Sequence, residues 1–149
     1  MAILSNQQLD ILLADDDLED CMLFDQALKE IEIPTQLFIV KDCTDLFEFL
    51  HKDPLPSFLF LDIGLPGRTG LQGLDEIRAN TRFDNLPVII YSTGEYSREA
   101  SYQKGADLFI SKPDSYADLL HILKSILSVK SLNELSRLKA HFSGAPDWN

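Results

Sequence analysis

A doubly wound α/β sandwich, a five-stranded parallel sheet between two layers of helices, is the fold class this sequence predicts. Three observations predict it. Five short apolar runs recur along the chain: LDILLA (9–14), QLFIV (36–40), FLFLD (58–62), PVIIY (87–91) and DLFIS (107–111). Each is continuous rather than alternating in polarity, which suits strands covered on both faces. Segments with helical spacing separate them, joined by connections of only a few residues. A strand followed by a helix, five times over, implies parallel pairing with right-handed crossovers.

The elements follow in order. Phe24, Ala27, Leu28 and Ile31 fall at i, i+3, i+4 and i+7, one face of a first amphipathic helix. Asp17 is placed to cap its start, with Asp20 three residues on in a capping-box-like arrangement. Residues 44–52 carry Leu46, Phe47 and Leu50, and residues 71–80 carry Leu71, Leu74 and Ile77. Residues 95–104 form a weaker helix rich in polar side chains. Residues 116–128 repeat Leu119, Leu120, Leu123, Ile126 and Leu127. Beyond them, Leu132, Leu135, Leu138 and Phe142 share a face of a sixth helix that Gly144-Ala145-Pro146 ends. That helix either folds back on its own domain or offers a dimer or partner surface. The expected organisation is an N-terminal tail at 1–7, one domain at 8–128 and a helical extension with its tail at 129–149.

Composition narrows the function classes. A chain of 149 residues suits one domain with a sizeable core, and 45% hydrophobic content with 9 Phe and 4 Tyr argues against disorder. The formal net charge of −11 repels phosphate backbones, so no nucleic-acid partner is expected. It suits a protein that binds cations or a basic face of another protein. Cys21 and Cys43 form no CxxC and have no histidine at zinc-ligand spacing, so both read as buried, reduced thiols. No apolar stretch approaches the ~18 residues of a membrane span. The first ten residues lack the basic start and apolar core of a signal peptide. The expectation is a cytoplasmic protein with no membrane partner.

In open parallel sheets ligands bind beyond the carboxyl ends of the strands, where strand order reverses. The first strand ends in Asp15-Asp16-Asp17 and the third in Asp62, before the loop IGLPGRTG. The fourth ends in Ser92-Thr93-Gly94 and the fifth in Ser111-Lys112-Pro113. The second, ending in Lys41-Asp42, offers nothing distinctive. Consecutive aspartates repel one another, by about 3–4 kcal/mol per pair at ~4.5 Å and an effective dielectric of ~20. Carboxylates gathered at one point favour a hard divalent cation such as Mg²⁺. A carboxylate beside such a metal can attack phosphorus, with a lysine and a hydroxyl to hold the phosphoryl oxygens. The loop GLPGRTG lacks the GK[ST] ending of a P-loop and reads as a turn shaping the site. His51, His121 and His141 fall away from this edge.

LLADDD, FLFLDIGLP, PVIIYSTG and ISKP, in that order and spacing, resemble the receiver domain of two-component response regulators over residues 8–128. The resemblance implies a flavodoxin-like sheet of order 2-1-3-4-5. It also implies that Asp62 accepts a phosphoryl group from a sensor histidine kinase or phosphotransfer protein. Asp15, Asp16, Asp62 and the backbone carbonyl of Gly64 would hold Mg²⁺. Ser92 would supply the switching hydroxyl, with Thr93 a weaker substitute, and Phe109 the switching aromatic. Lys112 would be the phosphate-binding lysine, followed by Pro113 through a bond that is usually cis in the family. Two departures stand out: positions 64 and 94, where the family varies to tune phosphoryl lifetime, are both glycine, and Ser stands at 92 in place of the commoner Thr.

After residue 128 only 21 residues remain, too few for an output domain. A stand-alone receiver is therefore expected, acting by protein contact or phosphorelay rather than as a metabolic enzyme. A homodimer would form through the face of the fourth helix, fifth strand and fifth helix, or through the C-terminal extension. The alternative is a haloacid-dehalogenase-like phosphatase with Asp15 as nucleophile and Asp17 as general acid. Glu19 in its motif, the absence of a late GDxxxD pair and an idle Asp62 count against it.

Overall fold

The five apolar runs pair as parallel strands because each buries both faces. The computed structural model of the chain describes residues 8–142. The expected tail at 1–7 and the terminator Gly144-Ala145-Pro146 lie outside them. Strands β1 (Leu9–Ala14), β2 (Thr35–Val40), β3 (Phe58–Leu61), β4 (Val88–Ser92) and β5 (Leu108–Ser111) form one sheet of order β2-β1-β3-β4-β5. Helices α1 (Leu18–Glu30), α2 (Cys43–Leu50), α3 (Gly70–Ala79), α4 (Arg98–Gln103) and α5 (Tyr116–Leu127) connect and follow them. A sixth, α6 (Leu132–His141), closes the described chain, and a 3₁₀ turn at Thr81–Phe83 that the apolar spacing did not signal precedes β4.

Alternation along each strand divides the core into two layers. Ile11, Leu13, Phe60, Ile89 and Ile110 face α1 and α5, with Phe24 and Leu123 among their neighbours. Leu12, Ala14, Leu59, Leu61, Ile90 and Phe109 face the other way, toward Leu46 of α2 and Leu74 and Ile77 of α3. Full burial of each such side chain contributes about 1.5–3 kcal/mol. Phe24 meets Phe60 edge-on at 5.0 Å between ring centroids, an arrangement that adds to area burial.

Local chemistry sets the helix ends. Asp17 caps α1 by accepting from the Asp20 amide at 3.0 Å, as expected. The capping box does not close there, because the Asp17 N–H already donates to Asp15 Oδ1 at 2.9 Å. Thr69 and Gln72 form a complete box at the start of α3. Helix α4 has six residues and no side-chain cap, in line with its polar sequence.

The C-terminal helix folds back on its own domain. Leu135 and Phe142 are buried in the layer that contains α1 and α5, with Leu132 and Leu138 half-buried against it. Its apolar face is thus occupied within the chain.

Candidate functional site

Backbone ladders carry the site residues to one place. Ala14 pairs with Leu61, and the ladder runs one step further: Asp15 N–H donates to Val40 O at 3.0 Å and Asp62 N–H to Ala14 O at 2.9 Å. Asp15 and Asp62 therefore sit side by side where the strand order reverses. On the other flank Ser92 pairs with Ser111, and Lys112 N–H donates to Ser92 O at 2.8 Å. Four strand ends separated by up to 97 positions in sequence converge on one edge because the sheet is in register.

Asp62 is 8% exposed, and each of its oxygens is engaged. Oδ1 accepts from the Ser92 hydroxyl at 2.8 Å and from the Gly64 amide at 3.0 Å. Oδ2 accepts from Lys112 Nζ at 2.9 Å. The same ammonium lies 2.7 Å from Asp20 Oδ2 and 2.9 Å from Asp15 Oδ2, above the Tyr91 ring. Burial pulls the Lys112 ammonium toward neutrality, but the close carboxylates of Asp20, Asp15 and Asp62 outweigh it and hold its pKa well above the ordinary value. Asp15 has no exposed surface, and burial pushes its carboxyl up against the lowering pull of the Asp17 amide and Lys112.

One oxygen is left over. Lys112 approaches Asp15 Oδ2 as an ion pair, yet its direction completes no hydrogen bond, and the buried oxygen has no donor. Asp15, Asp16 and Asp62 each offer a carboxylate oxygen within 4.8 Å of the others. With Asp20 that makes four carboxylates against one ammonium. An all-oxygen donor set with an unused buried lone pair suits a hard divalent cation, and the cluster can coordinate one. Asp16 is exposed, leaving one side of the cluster open to solvent.

Glycine matters at two positions around Asp62. A Cβ on Gly70 would collide with the Asp62 carbonyl oxygen and come within 2.8 Å of Ile63 Cα, so the start of α3 can approach Asp62 only without a side chain. Gly94 has φ +78°, the left-handed region, which accounts for glycine there irrespective of any tuning role. Gly64, by contrast, has ordinary room: a Cβ would stand 3.7 Å from Asp62 Oδ1.

The remaining expectations divide. Phe109 is buried, 1% exposed, with its ring under the Arg98 guanidinium at 4.9 Å and its N–H donating to the Tyr102 hydroxyl oxygen at 2.9 Å. Thr93 is exposed and, with Gly94, Lys112 and Pro113, lines an open hollow of about 360 Å³ beside the carboxylates. The Lys112–Pro113 bond is trans, contrary to the family habit; the cis bond among the described residues is Asp53–Pro54. His51 lines a separate hollow with Phe47 and Phe83, and His121 stacks near His141 on α5 and α6. Both cysteines are free and buried, and burial raises the Cys21 thiol to about 11. Asp17, the general acid of the phosphatase alternative, has its carboxylate engaged in capping α1.

Asp20 was missed as a site residue. It reads as a helix-capping acid, and its partner Lys112 is 92 positions away. The available signal was that an acid one turn into the first helix faces the same sheet edge as Asp15. Arg98 and Tyr102, which hold Phe109, were missed because α4 has no strong apolar pattern.

Comparison with known proteins agrees with this geometry. Response regulator Rcp1 of Synechocystis sp. is 29% identical over 132 residues, covering 83% of this chain and 90% of that protein. Response regulator Rre1 of the same organism is 31% identical over 107 residues, 69% of this chain and 45% of Rre1. The crystal structure of the Mn²⁺-bound form of Rcp1 superposes with a TM-score of 0.72 at 28% identity, over 80% of this chain and 92% of that one. No helix among the described residues is long and apolar enough to cross a membrane. The family model for the response regulator receiver domain matches residues 11–124, and the chain belongs to that family.

Proposed function

We propose that Asp62 accepts a phosphoryl group from a phosphohistidine and that the acidic pair Asp15 and Asp16 makes the transfer Mg²⁺-dependent. The observation that carries this reading is the convergence of an ammonium, a hydroxyl and an amide on the two oxygens of Asp62. Those are the donors a phosphoryl group needs once it replaces a carboxylate oxygen as their acceptor.

In the transfer, an Asp62 oxygen attacks phosphorus in line with the leaving imidazole. The O–P bond forms as the P–N bond breaks, and the imidazole nitrogen leaves with its electron pair and takes a proton from solvent. Lys112 holds one phosphoryl oxygen, and Ser92 turns its hydroxyl from Asp62 Oδ1 to another. Asp15, Asp16, Asp62 and the Gly64 carbonyl would hold Mg²⁺, which would offset the charge that collects there. Attack by water on the acyl phosphate returns the carboxylate and inorganic phosphate.

Two features suit a helical donor protein, a sensor histidine kinase or a phosphotransfer protein. Leu18 and Met22 are 65% and 63% exposed, one turn apart on α1 beside Asp16. Apolar groups so exposed at the rim of a charged site are characteristic of a docking surface. The signal then passes through Ser92 and Phe109 to the surface of α4, β5 and α5, as a shift between two populations. Protein contact or onward phosphorelay in the cytoplasm is the output we assign; a homodimer would use that same surface, since the apolar face of α6 is occupied. In this reading Pro113 fixes the chain after Lys112, and Thr93 stands at the rim.

Incubation with acetyl phosphate and Mg²⁺, followed by intact mass measurement, tests the reading. One phosphoryl adduct is expected on the wild type and none on Asp62→Asn. An adduct that survives in Asp62→Asn, or none on the wild type, would sink it.

A further inference from the structure

We propose that His121 and His141 form a two-imidazole site for a transition-metal ion of the Zn²⁺ class, which ties the end of α6 to α5. The site uses none of the carboxylates at the strand ends and stands independently of the reading of Asp62.

His121 lies on α5 and His141 is the last residue of α6. Helix α6 brings them together because Leu135 and Phe142 are buried in the layer that contains α5. Both histidines remain exposed, with ring centroids 5.8 Å apart and planes tilted by 51°. The Phe142 ring, 2% exposed, meets the His141 ring edge-on at 4.7 Å, so a core residue fixes where that imidazole stands. Among the described residues no hydrogen bond or ion pair occupies a nitrogen of either ring. His51 differs: its Nδ1 lies 2.6 Å from the Phe47 carbonyl oxygen, in a separate hollow.

Imidazole suits Zn²⁺, Cu²⁺ and Ni²⁺, whereas Mg²⁺ takes oxygen, so this pair and the strand-end carboxylates prefer different ions. A metal ~2.1 Å from one nitrogen of each ring stands about 3.2 Å from each ring centre. At a tetrahedral angle that sets the two centres about 5.2 Å apart. The observed 5.8 Å exceeds this by about 0.6 Å, which exposed side chains close by small rotations. Among the described residues no third ligand joins them, since the one group of three or more candidate side chains is Asp15, Asp16 and Asp62. Water therefore fills the remaining positions, and the ion exchanges with solution, unlike the closed four-ligand sites that hold a fold together. Both imidazoles reach the ion only with α6 docked, so occupancy stabilises the docked helix by mass action.

Long-range ¹H–¹⁵N spectra of the imidazoles in the full chain test this, with Zn²⁺ titrated in excess Mg²⁺. The readout is blind to ions on the carboxylates, and the chain has 3 histidines, so His51 serves as internal control. His121 and His141 should shift together along one binding curve while His51 stays in place. In His121→Ala the affinity read at His141 should fall by about tenfold or more, because the second ligand is no longer supplied within the chain. Hydrogen exchange over 132–141 should slow by about tenfold when Zn²⁺ stands at ten times its dissociation constant. It should not respond in His121→Ala, which leaves the sequence of α6 unaltered. Parallel shifts at all three histidines, a shift at one of the pair alone, or undiminished affinity in His121→Ala would overturn the proposal. So would exchange in α6 of the wild type that ignores Zn²⁺.

Discussion

At the end of the sheet where the strands begin, Asp107 Oδ2 accepts from Arg78 at 3.0 Å and from the Val88 amide at 2.8 Å. Arg78 directs its other donors to the carbonyls of Gly105, Phe83 and Leu86 at 2.8–3.0 Å. At the end where the strands finish, Asp15, Asp20 and Asp62 surround the single ammonium of Lys112, and Asp16 adds a further carboxylate beside Asp15 and Asp62. Burial raises the carboxyls of both the buried Asp15 and the half-buried Asp107, so desolvation does not distinguish the two ends. Their company does. One end pairs each charge and joins α3, β4 and β5; the other leaves an excess of negative charge and a buried oxygen without a donor. A fold can hold unrelieved repulsion at its working end because the opposite end and the two core layers are complete, which is the usual trade between stability and function.

The contrast can be broken from either side. The largest loss of stability should come from Arg78→Met, which strands Asp107 and three carbonyls; about 3 kcal/mol is expected from urea unfolding, the scale for removing one partner of a partly buried pair. Next, divalent cation should stabilise the folded chain, by about 2.7 kcal/mol at a concentration 100 times its dissociation constant. The same titration on Asp16→Ala should show little of that gain and little Mg²⁺-dependent phosphorylation. A gain that persists in Asp16→Ala would move the cation elsewhere. Smallest is Asp17→Ala, about 1 kcal/mol for loss of a helix cap, with phosphorylation largely intact. If Asp17→Ala instead abolished phosphorylation, the division of the three aspartates into two metal acids and one cap would be wrong.

Most of the working end was legible because it lies at strand termini. Apolar runs of four to six residues located β1, β3, β4 and β5 within a residue or two, and the residue after each run is the one the sheet presents. That rule brought out Asp15-Asp16-Asp17, Asp62, Ser92-Thr93-Gly94 and Ser111-Lys112-Pro113, and the order and spacing of their motifs supplied the family and the choice among them. Contacts made by helices across the sheet edge were not legible. Asp20 reaches Lys112, and Lys139 reaches Tyr102, through helix orientation that no local spacing encodes. Gly70 is similar: its need for a bare Cα comes from the approach of α3 to the Asp62 carbonyl, not from a turn. The network of Arg78 escaped notice because an arginine in the last turn of a helix reads as a surface charge until its four acceptors are assembled around it.

Urea unfolding of metal-free Asp15→Asn beside the metal-free wild type tests the central contrast most directly. The substitution retains an oxygen for the Asp17 amide and removes one charge from the crowded end. Stability should rise by about 1 kcal/mol, the scale recovered when a functional acid is neutralised, while Arg78→Met falls. A lower stability for Asp15→Asn would contradict the account, because it would mean that Lys112 already balances the acids and that no repulsion is held in reserve for a cation.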